Sequence, residues 1–224
     1  MQEAHGWRKC NGAEGPRLLG ELRYGAMFRR KPAQLAPADR WLVIGLGNPG
    51  REYERSRHNV GFLVIDELAR RHGGRVTDRA AKSLTGRIRR GEHELVLAKP
   101  QTWMNLSGQA AKALKGKYDV PLDRLLVVHD ELDLPFGRLR IRSGGSSAGN
   151  HGLDSLIGSF GTKTFPRIRV GVGRPVGDAV DYVLSPFTDD ERAQLPDLVR
   201  RVADAVEYTV EHGLDRAMTE FNRG

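Results

Sequence analysis

Leu125-Leu126-Val127-Val128-His129-Asp130 is the stretch from which the fold is read: four apolar residues in succession, with no polar alternation, stop at a histidine and an aspartate. A half-exposed strand alternates apolar and polar residues at a period of 2, whereas an unbroken run of this kind reads as a central strand covered on both faces. Such strands belong to largely parallel sheets with helices on either side. Two earlier runs have the same character. Trp41-Leu42-Val43-Ile44 enters the turn Gly45-Leu46-Gly47-Asn48-Pro49-Gly50, and Leu95-Val96-Leu97-Ala98 ends in Lys99-Pro100-Gln101-Thr102-Trp103-Met104-Asn105.

Working outward from these runs, the chain alternates strands with helices. A helix is expected from about Asn59, with Val60, Leu63, Val64 and Leu68 as its inner face, stopped by Gly73-Gly74. Strand-like stretches follow from Leu84 to Arg89, from Arg138 to Arg142 and from Arg167 to Val172; helices are expected from about Leu106 to Lys117, Leu153 to Phe160 and Asp189 to Glu211. The last helix turns Leu195, Leu198, Val199, Val202 and Val206 inward. This order predicts a three-layer α/β/α domain over residues 41–224, built on a twisted mixed, largely parallel sheet. Residues 1–40 mix Gly, Pro and charge without either period and read as a poorly ordered extension. The stretch from Gly213 to the end reads as a packed helix, with a flap anchored by Phe221 as the functional alternative.

A chain of 224 residues suffices for one α/β domain with a sizeable core. Its single cysteine, Cys10, allows neither a disulfide framework nor a thiolate metal cluster, and the histidines show no metal-ligand spacing. A reducing, cytoplasmic setting without metal or cofactor is the expectation. No apolar run approaches the roughly 20 residues of a membrane-spanning helix. The formal net charge of +8 favours a polyanionic partner, nucleic acid first, although arginine used merely for surface solubility gives the same total.

The placement of polar residues sharpens this. Each of the three apolar runs is followed at once by a polar cluster containing Asn48, Asn105 or Asp130. In a largely parallel sheet the carboxyl ends of the strands share one edge, where ligands bind, so the clusters are expected to meet there. The segment Tyr53-Glu54-Arg55-Ser56-Arg57-His58-Asn59 adds His58. Imidazole titrates near neutral pH, and a position before a helix start is expected to keep it neutral by disfavouring the cation. Asp130 within hydrogen-bond reach would fix its tautomer, making a pair that activates water. Asn48 and Asn105 offer uncharged amides for a peptide or an oxyanion; the structural alternatives are a turn role for Asn48 and capping of the next helix by Asn105. Arg138, Arg140 and Arg142 share one strand face at period 2, as do Arg167 and Arg169, which suits either a solvated sheet face or phosphate contact.

Taken together, Gly45-Leu46-Gly47-Asn48-Pro49-Gly50 with Tyr53, Arg57-His58-Asn59-Val60-Gly61, Lys99-Pro100, Met104-Asn105-Leu106-Ser107-Gly108 and His129-Asp130-Glu131-Leu132-Asp133-Leu134-Pro135 resemble the bacterial peptidyl-tRNA hydrolase family, from about residue 41 almost to the C-terminus. The resemblance implies a monomeric, metal-free enzyme that hydrolyses the ester joining a peptide to the 3′ end of tRNA. His58 would activate water, Asp130 would orient it, and Asn48 and Asn105 would position peptide and water. Tyr53 and Met104 would shape the peptide channel, and Arg140 and Arg169 would clamp the tRNA 5′ phosphate. One departure stands out: where the family commonly has Gly-His-Asn-Gly, this chain has Gly149-Asn150-His151-Gly152, so Asn150 and His151 carry over as binding residues with their order swapped. A noncatalytic RNA-binding relative on the same fold is the alternative function. Two other motifs lack their context. The G-x-G-x-x-G of residues 45–50 does not open a helix directly, and the G-x-S-x-G around Ser147 does not follow an apolar strand.

Overall fold

The computed structural model describes residues 40–174 and 177–223. The expectation for residues 1–40, Cys10 included, thus lies outside the described residues apart from Arg40, which opens the first strand and pairs with Glu94. Strands β1 (Arg40–Gly45), β2 (Asp78–Ala80), β3 (Ser83–Arg90), β4 (His93–Pro100), β5 (Leu125–Glu131), β6 (Leu139–Arg142) and β7 (Arg167–Gly171) form one sheet in the order β2-β3-β4-β1-β5-β7-β6. The four central strands β4, β1, β5 and β7 run parallel, while β3 and β2 at one edge and β6 at the other pair antiparallel. The sheet is mixed and largely parallel, as the apolar runs predict.

Those runs are apolar throughout because each strand is covered twice. Trp41, Val43, Leu126 and Val128 face helices α1 (Val60–Arg71) and α5 (Asp189–His212), where Val64, Leu68, Val202 and Val206 meet them. Leu42, Ile44, Leu125 and Val127 face α2 (Ser107–Tyr118) and α3 (His151–Phe160), where Leu114 and Leu156 meet them. Truncating one such buried leucine to alanine typically costs about 2–5 kcal/mol. Helix α5 starts on a capping box in which Thr188 and Glu191 satisfy each other's backbone N–H. Helix α6 (Leu214–Phe221) packs on α5 and β6, with Phe221 edge-on to Tyr208 and Asn222 bonded to Ile141. Helix packing therefore accounts for the C-terminal segment without a flap.

Two details set up the site. Helix α1 approaches the sheet closely: a Cβ on Gly61 would lie 2.6 Å from the Leu46 backbone and the Val128 carbonyl, so only glycine lets the helix start drop onto the ends of β1 and β5. Strand β5 also continues past the apolar run, because β7 pairs with it through His129↔Arg169 and Asp130↔Val170. Asp130 is thus held on a strand rather than in a loop.

Candidate active site

Parallel β1, β4 and β5 deliver their carboxyl ends to one edge, where the structure brings the polar clusters together. A cleft of about 330 Å³ is lined there by Asn48, His58, Met104, Asn105, Asp130, Asn150 and His151. Trp103 and helix α4 (Ala179–Leu184), through Val180, Val183 and Leu184, add apolar walls. Neither was anticipated. Helix α4 is six residues long and has no readable period, its one local signal being the capping Asp178; for Trp103 the sequence offers only an aromatic beside a polar cluster, and its exposure is seen in the structure.

His58 sits in a single 3-10 turn, Arg57–Asn59, immediately before α1. Its Nδ1 donates to Asp130 Oδ2 at 2.9 Å, and both side chains are buried. With Nδ1 engaged, Nε2 is the ring nitrogen left for the cleft. Burial works against the imidazolium, but the charge of Asp130 and its hydrogen bond together outweigh it, and the pKa of His58 is raised above 6.5. The direction is opposite to the one expected from the helix start alone, because the carboxylate at 2.9 Å favours the cation. Arg57 anchors the turn from the other side. It donates to Ser185 Oγ, the Pro186 carbonyl and Glu191 Oε2, each at 2.6 Å, and lies over the Tyr182 ring.

Asn48 is fixed rather than merely present. The Asn59 side chain accepts from the Asn48 N–H at 2.8 Å and donates to the Asn48 carbonyl at 2.9 Å. Asn48 Oδ1 in turn accepts from the Met104 N–H at 2.8 Å, tying the loop after β1 to the loop after β4. Met104 is buried against Gly152, where an added Cβ would stand 2.4 Å from its sulfur. Asn105 does not cap α2: that helix begins at Ser107 behind Leu106 with no side-chain cap, and the exposed Asn105 lines the cleft. Tyr53 packs edge-on against Trp103 at 6.0 Å and reaches the cleft only through it. Asn150 caps α3 by accepting from the Leu153 N–H, and its Nδ2 donates to Asp130 Oδ1, both at 3.1 Å. His151 is exposed on the cleft lip.

The arginine rows prove to be one patch with unequal members. Cross-strand pairing of Arg140 with Arg169 and of Arg142 with Arg167 puts all four on the face that carries α3. Arg167 is buried and donates to the carbonyls of Gly145, Ser146 and Lys163, so it props the Gly/Ser loop and is not a solvated residue. Burial, with the charge of Arg169, lowers its pKa to about 10. Arg169 pairs with Glu131 at 2.7 Å. A second cavity of about 290 Å³ is lined by His129, Arg142, Gly144, Gly145, Ser146, Arg167 and Arg169. Burial depresses the pKa of His129, its Nδ1 donates to the Asp130 carbonyl at 2.7 Å, and its Nε2 has no partner among the described residues. Arg140, expected in a clamp, lies on the same face but does not line this cavity; Arg142 does.

The rival motifs fail on geometry. Two 3-10 turns separate Gly50 from α1, so the first glycine turn does not open a helix, and the Ser147 side chain makes no hydrogen bond to a base among the described residues. No helix among the described residues is long and apolar enough to cross a membrane.

Comparison with known proteins agrees with this arrangement. The family model described as peptidyl-tRNA hydrolase matches residues 42–224. The peptidyl-tRNA hydrolase of Carboxydothermus hydrogenoformans is 48% identical over 185 residues, 82% of this chain and 99% of that protein. That of Chloroflexus aggregans is 51% identical over 186 residues, 81% of this chain and 98% of its own length. The crystal structure of peptidyl-tRNA hydrolase from Acinetobacter baumannii superposes with a TM-score of 0.77 at 30% identity, covering 83% of this chain and 95% of that one. On its sequence, its fold and the extent of these matches, the chain belongs to the peptidyl-tRNA hydrolase family.

Proposed function

We propose that this protein hydrolyses the ester joining a peptide, or an N-blocked aminoacyl group, to the 3′ end of tRNA, with His58 as general base. The observation that carries the reading is the buried His58–Asp130 pair, which leaves Nε2 as the free ring nitrogen at a cleft that also presents the amides of Asn48 and Asn105. Nε2 takes a proton from water as the water oxygen bonds to the ester carbonyl carbon. The tetrahedral intermediate then collapses, the carbon–oxygen bond to the ribose breaks, and the leaving 3′ oxygen takes the proton from the imidazolium. Asp130 stays ionised throughout and stabilises the cation that forms between the two steps. Asn48 and Asn105 supply amide donors to the peptide and the developing oxyanion, while Met104, Trp103 and Tyr53 give the peptide its apolar channel.

The same reading gives the arginine face to the tRNA. Arg140, Arg142 and Arg169 contact the 5′ phosphate, Arg142 and Arg169 from the cavity and Arg140 from the same face beside it; the juxtaposed guanidinium groups and the small residues of the loop beside them support this. The direct test incubates the protein with N-acetyl-aminoacyl-tRNA in the presence of EDTA, with His58→Ala as control, and follows released tRNA. Release by the unsubstituted protein alone supports the esterase and its base. Tight, salt-sensitive tRNA binding without release means a binding protein on a hydrolase fold.

A further inference from the structure

We propose that Asn150 is a positioning residue of the reaction, one that holds the Asp130 oxygen left free by His58 and does not contact substrate. The inference rests on the hydrolase reading above and assigns work within that site. The two carboxylate oxygens of Asp130 have separate partners: Oδ2 takes His58 Nδ1 at 2.9 Å and Oδ1 takes Asn150 Nδ2 at 3.1 Å. The Asp130 side chain is only 2% exposed, so Oδ1 without Asn150 would lose a donor in a place where leaving an acceptor unpaired is costly.

The orientation of the Asn150 amide is fixed at both ends. Its oxygen accepts from the Leu153 N–H in the first turn of α3, which turns the NH₂ toward Asp130. A flipped amide would set NH₂ against N–H and oxygen against carboxylate, losing both bonds. The aspartate is thereby aligned by a whole helix, itself docked on α2 through the bond from the Gly108 N–H to Ser155 Oγ. His151, next in the chain and exposed at the lip, is then the residue of the pair that is free to meet the tRNA end.

The swapped order gains a physical meaning from this. With histidine at position 150 the support of Asp130 would itself titrate; with asparagine it stays a donor at every pH. The titratable groups lining the cleft around His58 are Asp130 and Glu131 of β5 and His151 of α3. Helix α4 contributes only apolar side chains there, β7 answers Glu131 with Arg169, His129 turns its Nδ1 to the Asp130 carbonyl, and Arg57 faces Glu191.

Because Asn150 is also a helix cap, the test uses replacements that still cap. In Asn150→Ser the short hydroxyl can serve Leu153 but not span to Asp130; in Asn150→Asp the cap persists and the donor becomes a second carboxylate; Asn150→His returns an N–H donor. Measured are kcat and KM against pH, tRNA affinity, the thermal midpoint, and the His58 ring titration followed by NMR. The expected result is that kcat falls roughly tenfold in the Ser and Asp variants, the scale on which such supporting bonds act, with KM and tRNA affinity nearly unchanged, while the thermal midpoint drops in both because Oδ1 loses its donor or meets a second carboxylate. Asn150→Asp also moves the His58 titration to higher pH, and Asn150→His recovers most of kcat. A loss of tRNA affinity or a raised KM, with kcat and the His58 titration unmoved, would overturn the proposal and place Asn150 on the substrate. An inactive unsubstituted protein would remove the hydrolase reading instead; the ring titration needs no turnover, and its failure to move in Asn150→Asp would still count against the link from residue 150 to His58.

Discussion

Replacing Asp130 by asparagine should do more damage than the loss of one charge. Two unit charges about 4 Å apart in a partly screened site attract by about 4 kcal/mol, and the imidazolium formed in the transition state depends on that attraction. At about 1.36 kcal/mol per decade of rate, its loss alone slows hydrolysis ~10³-fold. The Asn150 amide then adds a second effect. It donates toward the Oδ1 position, so the substituted side chain presents its oxygen there and its NH₂ to His58 Nδ1. The imidazole is forced to carry its proton on Nε2, the wrong tautomer for accepting one from water, and the total loss in kcat should reach about 10³ to 10⁴-fold. Binding should be nearly unchanged, because Asp130 is buried behind His58. Burial alone would then act on the imidazole, so its titration should drop below the usual 6.5 even as activity collapses. Single-turnover hydrolysis of N-acetyl-aminoacyl-tRNA, run beside a tRNA-binding isotherm and an NMR titration of the ring, measures all three. A loss of less than tenfold, or a ring titration that stays where it was, would refute the reasoning.

Other consequences follow from the same geometry. In the unsubstituted protein the acid limb of kcat/KM should have its midpoint above 6.5, since a protonated His58 cannot act as base and Asp130 raises its pKa; a midpoint at or below 6.5 speaks against His58 as the base. The sign for stability is opposite: the charge attraction of Asp130 for the imidazolium is fully in place below the unfolded value of 6.5 and is lost as pH rises through the folded one, leaving the neutral hydrogen bond, so urea midpoints should fall across that window and fall less in His58→Ala. Arg142→Ala should weaken tRNA binding more than Arg140→Ala, reducing the salt slope by roughly one and sparing kcat, because only Arg142 lines the basic cavity; equal effects in titrations at several salt concentrations would return the weight to Arg140. Arg57→Met leaves Glu191 without its cationic partner, though still bonded to the Thr188 N–H, and should cost about 1.5–3 kcal/mol in chemical denaturation, whereas a change within 1 kcal/mol would mean that the turn holds without it.

What the sequence made legible is what depends on local pattern. Unbroken apolar runs at 42–44, 95–98 and 125–128 announce strands buried on both faces, and parallel strands force their polar ends to one edge; hence Asn48, His58, Asn105 and Asp130 could be brought together on paper before any coordinate. The features it concealed depend on partners distant in sequence. Period 2 places Arg167 and Arg169 on one face but is silent on what covers that face, so a buried prop for a loop and a partner of Glu131 look alike in sequence. The sign of the His58 shift is hidden for a similar reason: the helix start is a local feature, whereas the Asp130 contact that raises the pKa spans 72 residues.

The strand that gives away the fold also carries the division of labour. Side chains alternate along β5, so its last residues divide between the two faces of the sheet. Val128 and Asp130 fall on the side of α1, where the glycine contact of Gly61 lets the helix start come down far enough for His58 to reach the carboxylate. His129 and Glu131 fall on the other side, where His129 lines the basic cavity and Glu131, at the strand end, pairs with Arg169 while bordering the cleft. Chemistry and phosphate contact, on the reading proposed here, are therefore set a single residue apart on one rigid element. Adding one residue to β5 ahead of His129 would exchange the two faces and put a buried histidine where the base needs a carboxylate. The Gly149-Asn150-His151-Gly152 turn stands over that strand end and divides in the same way, Asn150 bonded to Asp130 and His151 left at the lip.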